Sequence, residues 1–348
     1  MKVLVTGGAG FVGSHVAEYY AKKGSEVIIF DNLSRVEIQG KSVGDPLYNW
    51  NYLKNNYCNI ELVKGDIRSF EKLKEAAEGS ELIVHTAAQV AVTTSVVNPR
   101  VDFDVNALGS FNVLEATRVN DAVVVYCGTN KVYGENVNKI AVIEREKRYD
   151  YADPKYKNGI PEEFPIDLTG HSPYGCSKLA ADVYVQDYAY TYGLKTGVFR
   201  QSCIYGERQF GVEDQGWVAW FVIATLTDRP ITIYGDGKQV RDVLYVSDLV
   251  EAFDRFINSN LKHGIFNVGG GAKNTLSLIE LLDMLKELTG KSHHTSFADW
   301  RPADQKVYIS DISRAKNVLN WEPKVSPSEG VRRLVEWVSQ NTVLFVKK

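Results

Sequence analysis

Short apolar runs alternate with amphipathic stretches along the first part of this chain. Lys2–Thr6, Glu26–Phe30, Ile60–Val63, Glu81–His85, Ala122–Cys127 and Lys195–Arg200 read as strands. Phe11–Lys23, Phe70–Glu78, Val101–Asn120 and Tyr174–Tyr192 fall between them with helical spacing. This alternation predicts an α/β fold, a Rossmann-type doubly wound parallel sheet. After Arg200 the rhythm changes. Helices are expected at Trp217–Thr227, Ser247–Asn258, Ser277–Thr289 and Ser328–Gln340, and strands at Ile231–Tyr234, Gln239–Tyr245 and Ile265–Val268. The change predicts a dinucleotide-binding unit over 1–200 with about 240–262, and a smaller α/β substrate unit over 201–239 and 263–348.

Three stretches lack periodicity: Ser34–Tyr57, Asn136–Thr169 (with Pro154, Pro161 and Pro165) and Gly206–Gln215. Long irregular loops in a compact chain are usually functional. The last two flank Tyr174 in sequence and are read as a substrate lid or wall.

Composition narrows the partners. With 44% hydrophobic and 24% charged residues the 348-residue chain is globular, and 40 basic against 43 acidic residues leave a net charge of −3. That balance gives no electrostatic case for nucleic acid or a membrane surface. No apolar run approaches transmembrane length, and the Gly-rich start is unlike a signal peptide. Cys58, Cys127, Cys176 and Cys203 show no C-x-x-C spacing, so no zinc site or disulfide framework is suggested. The adjacent His293 and His294 do not share a helix face, and no metal site is expected. Reduced thiols fit a cytoplasmic location.

The candidate chemistry begins at Gly7-Gly-Ala-Gly10-Phe11-Val12-Gly13, between an apolar strand and a helix. Glycines there permit a tight turn and close approach of a pyrophosphate, with helix N-terminal amides aimed at it. Asp31 closes the second strand. Its carboxylate suits both ribose hydroxyls and repels a 2′-phosphate, favouring NAD over NADP, although Arg35 is placed to meet a phosphate. Tyr174 and Lys178 stand one helical turn apart on one face. A phenol is a poor base at neutral pH, and a nearby ammonium favours its phenolate.

Thr6–Gly13, Gly65-Asp66-Ile67-Arg68, His85-Thr-Ala-Ala88, Asn106 and Tyr174-x-x-x-Lys178 together resemble the extended short-chain dehydrogenase/reductases, the NAD-dependent epimerase/dehydratase family. The resemblance covers essentially the whole chain. It implies Asp66 and Ile67 beside the adenine, and Ala87, Ala88 and Gln89 along the cofactor. It also implies Asn106 in support, Lys178 on the nicotinamide ribose, and Asn32, Ser34, Arg35 and Gln201 among the cofactor contacts. Thr129 takes the family's catalytic Ser/Thr position beside Tyr174 and Lys178.

Tyr234–Asp248 and Arg301–Asp304 resemble the second-unit signatures of members acting on nucleotide sugars. There Arg241 and Arg301 grip the substrate diphosphate, a task suited to a planar guanidinium. Gln89–Ser95, Thr129–Gly134, His171–Lys178 and Arg208–Trp217 narrow the likeness to the branch that epimerises a CDP-activated sugar at C2. Family dehydratases carry an acidic pair after the catalytic Thr. Here Asn130-Lys131 stands there, leaving dehydration without a proton donor. Cys203 replaces an Asn that contacts substrate phosphate in many members. Thr93, Thr129, Asn130, Lys131, Cys203, Gln209, Gln215, Trp217, Tyr234 and Gln239 complete the substrate candidates.

The implied reaction opens and closes a transient 2-keto sugar, with Tyr174 as base and tightly bound NAD regenerated each turnover. A UDP-sugar 4-epimerase, a net oxidoreductase and a silent NAD-binding scaffold are the competing readings. Related enzymes dimerise through helices corresponding to Val101–Asn120 and Tyr174–Tyr192, which implies a homodimer or homotetramer.

Overall fold

The computed structural model describes residues 1–35, 44–301 and 304–345. Seven parallel strands form the main sheet, in the spatial order His263–Val268, Thr196–Gln201, Val123–Thr129, Leu82–His85, Lys2–Thr6, Glu26–Asp31, Ile60–Lys64. The inner strands are apolar on both faces because helices cover both faces. Val3, Val5, Val27 and Ile29 pack toward helix Phe11–Lys22 and helix Val246–Ile257. Leu4, Ile28 and Ile83 point the other way, toward helix Phe70–Ala76 and helix Gly109–Asn120. The order reverses at the boundary between Lys2–Thr6 and Leu82–His85, and a ligand crevice forms outside the strand ends there.

A second core joins helix Trp217–Leu226, helix Leu278–Thr289 and helix Pro327–Gln340 to small sheets. Val240–Tyr245 is central to one of them, paired with Thr275–Ser277, Val307–Tyr308 and Cys203–Tyr205. Two segments therefore sit differently from the expected units. Val240–Tyr245 belongs with the second sheet, while His263–Val268 returns to the main sheet as an edge strand beside Thr196–Gln201.

Other differences have local causes. The single helix expected over Val101–Asn120 is broken. Pro99–Phe103 leads into a π-helical turn at Asp104–Leu108, and only then into Gly109–Asn120. Asn98 caps its start by accepting from Val101 N–H at 3.4 Å. The unperiodic Ser34–Tyr57 stretch contains helix Tyr48–Asn56, while positions 36–43 lie outside the described residues. Its Asn- and Tyr-rich sequence has weak helix propensity, so packing carries it. Leu53 is fully buried, and Tyr48 meets Phe210 and Trp337 at ring-centroid distances of 5.5 and 6.1 Å.

Asn136–Thr169 holds the hairpin Val142–Glu144/Tyr149–Tyr151. This segment is pinned to the second half: Tyr149 N–H donates to Lys238 O at 2.9 Å and Ile160 N–H to Ile309 O at 2.7 Å.

Helix Leu278–Thr289 begins with a capping box. Ser277 Oγ accepts from Glu280 N–H at 3.1 Å, and Glu280 accepts from Ser277 N–H at 2.8 Å. Ser277→Ala is expected to cost about 1–2 kcal/mol, read as a lower urea midpoint with an unchanged slope.

Candidate active site

Strand Lys2–Thr6 runs into Gly7, whose φ of +70° and 2.6 Å clearance from an added Cβ to Ala87 N exclude a side chain. A Cβ on Gly13 would collide with the Gly7 carbonyl oxygen. The helix N-cap, Gly10, has no side-chain cap bond, which leaves N-terminal amides for a ligand. Asp31 Oδ2 accepts from Ala9 N–H at 3.0 Å and Oδ1 from Leu33 N–H at 2.8 Å. Burial pushes its carboxyl up, against the pull of those two amides. Asp66 is held below the usual carboxylate range, at about 2, chiefly by Arg68 at 2.7 Å, and it also accepts from Asn32 at 2.9 Å.

One groove of about 1100 Å³, open solvent included, runs along these strand ends. The candidates Gly7, Gly10, Phe11, Val12, Asp31, Asn32, Ser34, Arg35, Asp66, Ile67, Ala87, Ala88 and Gln89 all line it. Gly65, Thr86 and Val105 line it too, and the sequence reading passed over them as cofactor contacts. Gln209 and Gln215, expected on the substrate, also face this groove. The Gly206–Gln215 segment folds back over it: Arg35 donates to Phe210 O at 2.7 Å and to Gln215 Oε1 at 3.3 Å. Gln201 stands apart from the groove lining, near the Cys127 thiol, and its buried amide nitrogen has no protein partner.

Helix Pro173–Tyr192 starts at Ser172, whose Oγ accepts from Gly175 N–H at 3.1 Å. Tyr174 is buried in its first turn, with Thr129 acting on its phenol. Its backbone N–H donates to Ser95 Oγ at 3.1 Å. The expected lowering of the phenol by Lys178 is absent. Burial pushes Tyr174 up to about 12, outweighing the downward pull of Thr129. Lys178 points elsewhere, donating to Cys127 O at 2.7 Å with its ammonium 4.2 Å from the Tyr126 ring centroid. Burial brings Lys178 down to about 8. Asn106, on the π-helical turn, brackets the Gln89 backbone: Oδ1 accepts from Gln89 N–H at 2.9 Å and Nδ2 donates to Gln89 O at 3.0 Å.

Two residues after Thr129, the Lys131 ammonium donates to Gln305 Oε1 at 3.3 Å. It is lowered to about 8 by burial, then by the neighbouring Arg241 guanidinium. Arg241 donates to Asp304 Oδ1 at 2.6 Å and to its neighbour Val240 O at 2.8 Å. Cys203 belongs to the same group. Its thiol, raised by burial, accepts from Trp217 Nε1 at 3.3 Å. Asn130 is buried beside Thr129, at 3.5 Å from its hydroxyl.

Arg301 lies 4.0 Å from the Tyr234 ring centroid and pairs with Asp214 at 3.0 Å. Tyr234 donates to Glu213 at 3.0 Å, and Gln239 Nε2 donates to Tyr234 O at 2.6 Å. The amide oxygens of Gln209 and Gln239 are buried without partners. Thr93 is exposed on the short helix Val92–Val97. Both guanidiniums expected at the diphosphate thus rest on carboxylates, Asp304 and Asp214, which sequence alone did not pair with them. Among the described residues, no group of three or more His, Cys, Asp or Glu side chains is placed to hold a metal ion. No helix among them is long and apolar enough to cross a membrane.

Residues 3–269 match the NAD dependent epimerase/dehydratase family. The chain is 41% identical to the CDP-paratose 2-epimerase of Salmonella typhi, covering 97% of this chain and 99% of that protein. It also superimposes on the crystal structure of UDP-glucose 4-epimerase from Thermotoga maritima with UDP-glucose. That match has a TM-score of 0.80 and 32% identity, over 98% of this chain and 100% of the other. The Thermus thermophilus UDP-glucose 4-epimerase in complex with NAD matches with a TM-score of 0.77 and 32% identity, over 97% and 98%.

Proposed function

The chain belongs to the NAD-dependent epimerase/dehydratase family, and from that premise we propose that it inverts C2 of a nucleotide-activated sugar, converting CDP-paratose to CDP-tyvelose. One observation carries the choice of reaction. Thr129 acts on the buried Tyr174 phenol, while Asn130 and Lys131 stand where a dehydratase needs an acid.

The residues fit a dinucleotide: a cradle at Gly7 and Gly13 that admits no Cβ, uncapped helix amides, and an unpartnered Gln201 amide. Asp31 would hold the adenosine ribose, and Lys178 the nicotinamide ribose. Bound NAD supplies reversible two-electron oxidation of the sugar carbon and ends each turnover as it began. Tyr174 takes the proton of the 2-hydroxyl and later returns it. Thr129, which acts on the phenol, would hold the reacting oxygen in line with it. Arg241 and Arg301 exchange their Asp304 and Asp214 partners for diphosphate oxygens, since a guanidinium engages phosphate as readily as carboxylate. The sugar end then turns while the nucleotide end stays fixed, so the flat 2-keto sugar presents its other face.

A panel of CDP- and UDP-sugars followed by NMR at C2 and C4 tests the assignment. With C2-deuterated CDP-paratose the label is expected to stay on C2 of the product. Washout into solvent would replace this mechanism with proton abstraction from carbon, and inversion of UDP-glucose at C4 alone would move the protein to the 4-epimerases.

Lys131 adds a pH signature. Its ammonium is charged below about 8 and neutral above, so CDP binding is expected to weaken as pH rises through that value. Calorimetry on Lys131→Met should show a flatter profile than the parent.

We also place the enzyme in the cytoplasm as a homodimer, with a tetramer as the larger alternative. Exposed Phe103, Phe111, Val119, Val183, Tyr184 and Tyr192 on the helices around Pro99–Asn120 and Pro173–Tyr192 support a self-complementary face.

A further inference from the structure

Asp102 is a carboxylate with no part in the chemistry above, yet it is only 1% exposed. It sits at the end of helix Pro99–Phe103, just before the π-helical turn. Oδ2 accepts from Ser177 Oγ at 2.6 Å, while Oδ1 accepts from Gln89 Nε2 at 2.8 Å and Asn106 Nδ2 at 3.1 Å. Each donor comes from a different part of the site. Ser177 precedes Lys178 on the helix that carries Tyr174, Gln89 lines the cofactor groove, and Asn106 brackets the Gln89 backbone. A buried charge is retained at high cost unless its acceptor sites are filled, and here they are.

We propose that Asp102 is a positioning residue. It ties the cofactor wall at Gln89 to the Tyr174–Lys178 helix and sets a buried carboxylate close to both side chains of that pair. The proposal rests on the assignment of Tyr174 as the base.

The electrostatic surroundings agree with this role. Asp102 raises Tyr174 and raises Lys178, and Lys178 in turn lowers Asp102, whose own carboxyl is pushed up by burial. The other titratable groups facing the pair are Cys127, which raises both, Asp182, which raises Lys178, and His85 and Tyr126. His85 is lowered to about 3 and stays neutral, while burial drives Tyr126 upward. Asp102 is thus the one anion among these groups that acts on both members of the pair.

The test uses the NAD-loaded protein, with Asp102→Asn as first variant. Asp102→Ser, which leaves room for a water, serves if the amide N–H repels its donor neighbours and prevents folding. Tyrosinate absorbance is titrated in each, and the Tyr174 signal is isolated by subtracting the same protein carrying Tyr174→Phe. The Tyr174 midpoint is expected to fall by about half a pH unit or more when Asp102 loses its charge. In parallel kcat should drop by about tenfold or more, with KM changed by less than about threefold. A midpoint that stays in place in a variant retaining NAD, or a loss carried wholly by KM, would overturn the proposal. If the parent fails to turn over CDP-paratose, the substrate assignment falls, while the titration still decides the role of Asp102.

Discussion

Tyr174→Phe is expected to cut kcat by about 10²–10⁴-fold while the purified protein keeps its NAD. The substitution removes one oxygen and leaves the buried ring in place. The bond that seats the helix start, Tyr174 N–H to Ser95 Oγ, belongs to the backbone and survives. None of the groove contacts at Gly7, Asp31 or Asp66 involves the phenol. What is lost is the group that Thr129 acts on and that is proposed to exchange a proton with the sugar hydroxyl. Burial holds Tyr174 at about 12, far above working pH. The proposed base role requires added positive charge, from the cofactor and from a Lys178 that leaves the Cys127 carbonyl. Turnover by NMR and NAD content by absorbance measure the two halves of the prediction. Activity within tenfold of the parent would remove Tyr174 from its role.

Arg241→Ala is expected to lower kcat/KM by about 2–5 kcal/mol, roughly 30- to 4000-fold, the range for truncating one member of a desolvated charged pair. Arg241 is buried in strand Val240–Tyr245 and crowds the Lys131 ammonium. Removing it strips one cation from the proposed diphosphate site and leaves the Asp304 carboxylate without its guanidinium. Arg241→Lys should recover little, because a lysine lacks the planar fork. Titration calorimetry with CDP isolates binding from turnover, and a dissociation constant within about threefold of the parent would mean that Arg241 does not hold the diphosphate.

How much of this was legible in the sequence varies with the kind of physics involved. Gly7, Gly13 and Asp31 could be read directly, because a turn that admits no Cβ and a strand-end carboxylate leave little choice of residue. The strands of the main sheet were legible as apolar runs because both their faces are covered. Helix Tyr48–Asn56 was not, since its aromatic and Asn residues become helical only against Phe210 and Trp337, far away in sequence. The π-helical turn at Asp104–Leu108 escaped because an extra residue in one turn barely disturbs the apolar spacing, while it frees the Asn106 side chain to bracket Gln89. The pairings of Arg241 with Asp304, Arg301 with Asp214 and Arg35 with Gln215 depend on loops meeting in space, and no local pattern encodes them.

The return of His263–Val268 to the main sheet bears on engineering. A cut after residue 200, where the sequence rhythm changes, would leave strand Thr196–Gln201 as a bare edge lacking its neighbour. It would also uncover Phe199, which packs against Phe253 and Phe256 of helix Val246–Ile257 at 4.8 and 6.0 Å between ring centroids. Unpaired apolar edges template aggregation. The second unit is therefore no interchangeable cassette. A graft meant to change substrate preference has to keep 246–268 with the host and splice on either side of it.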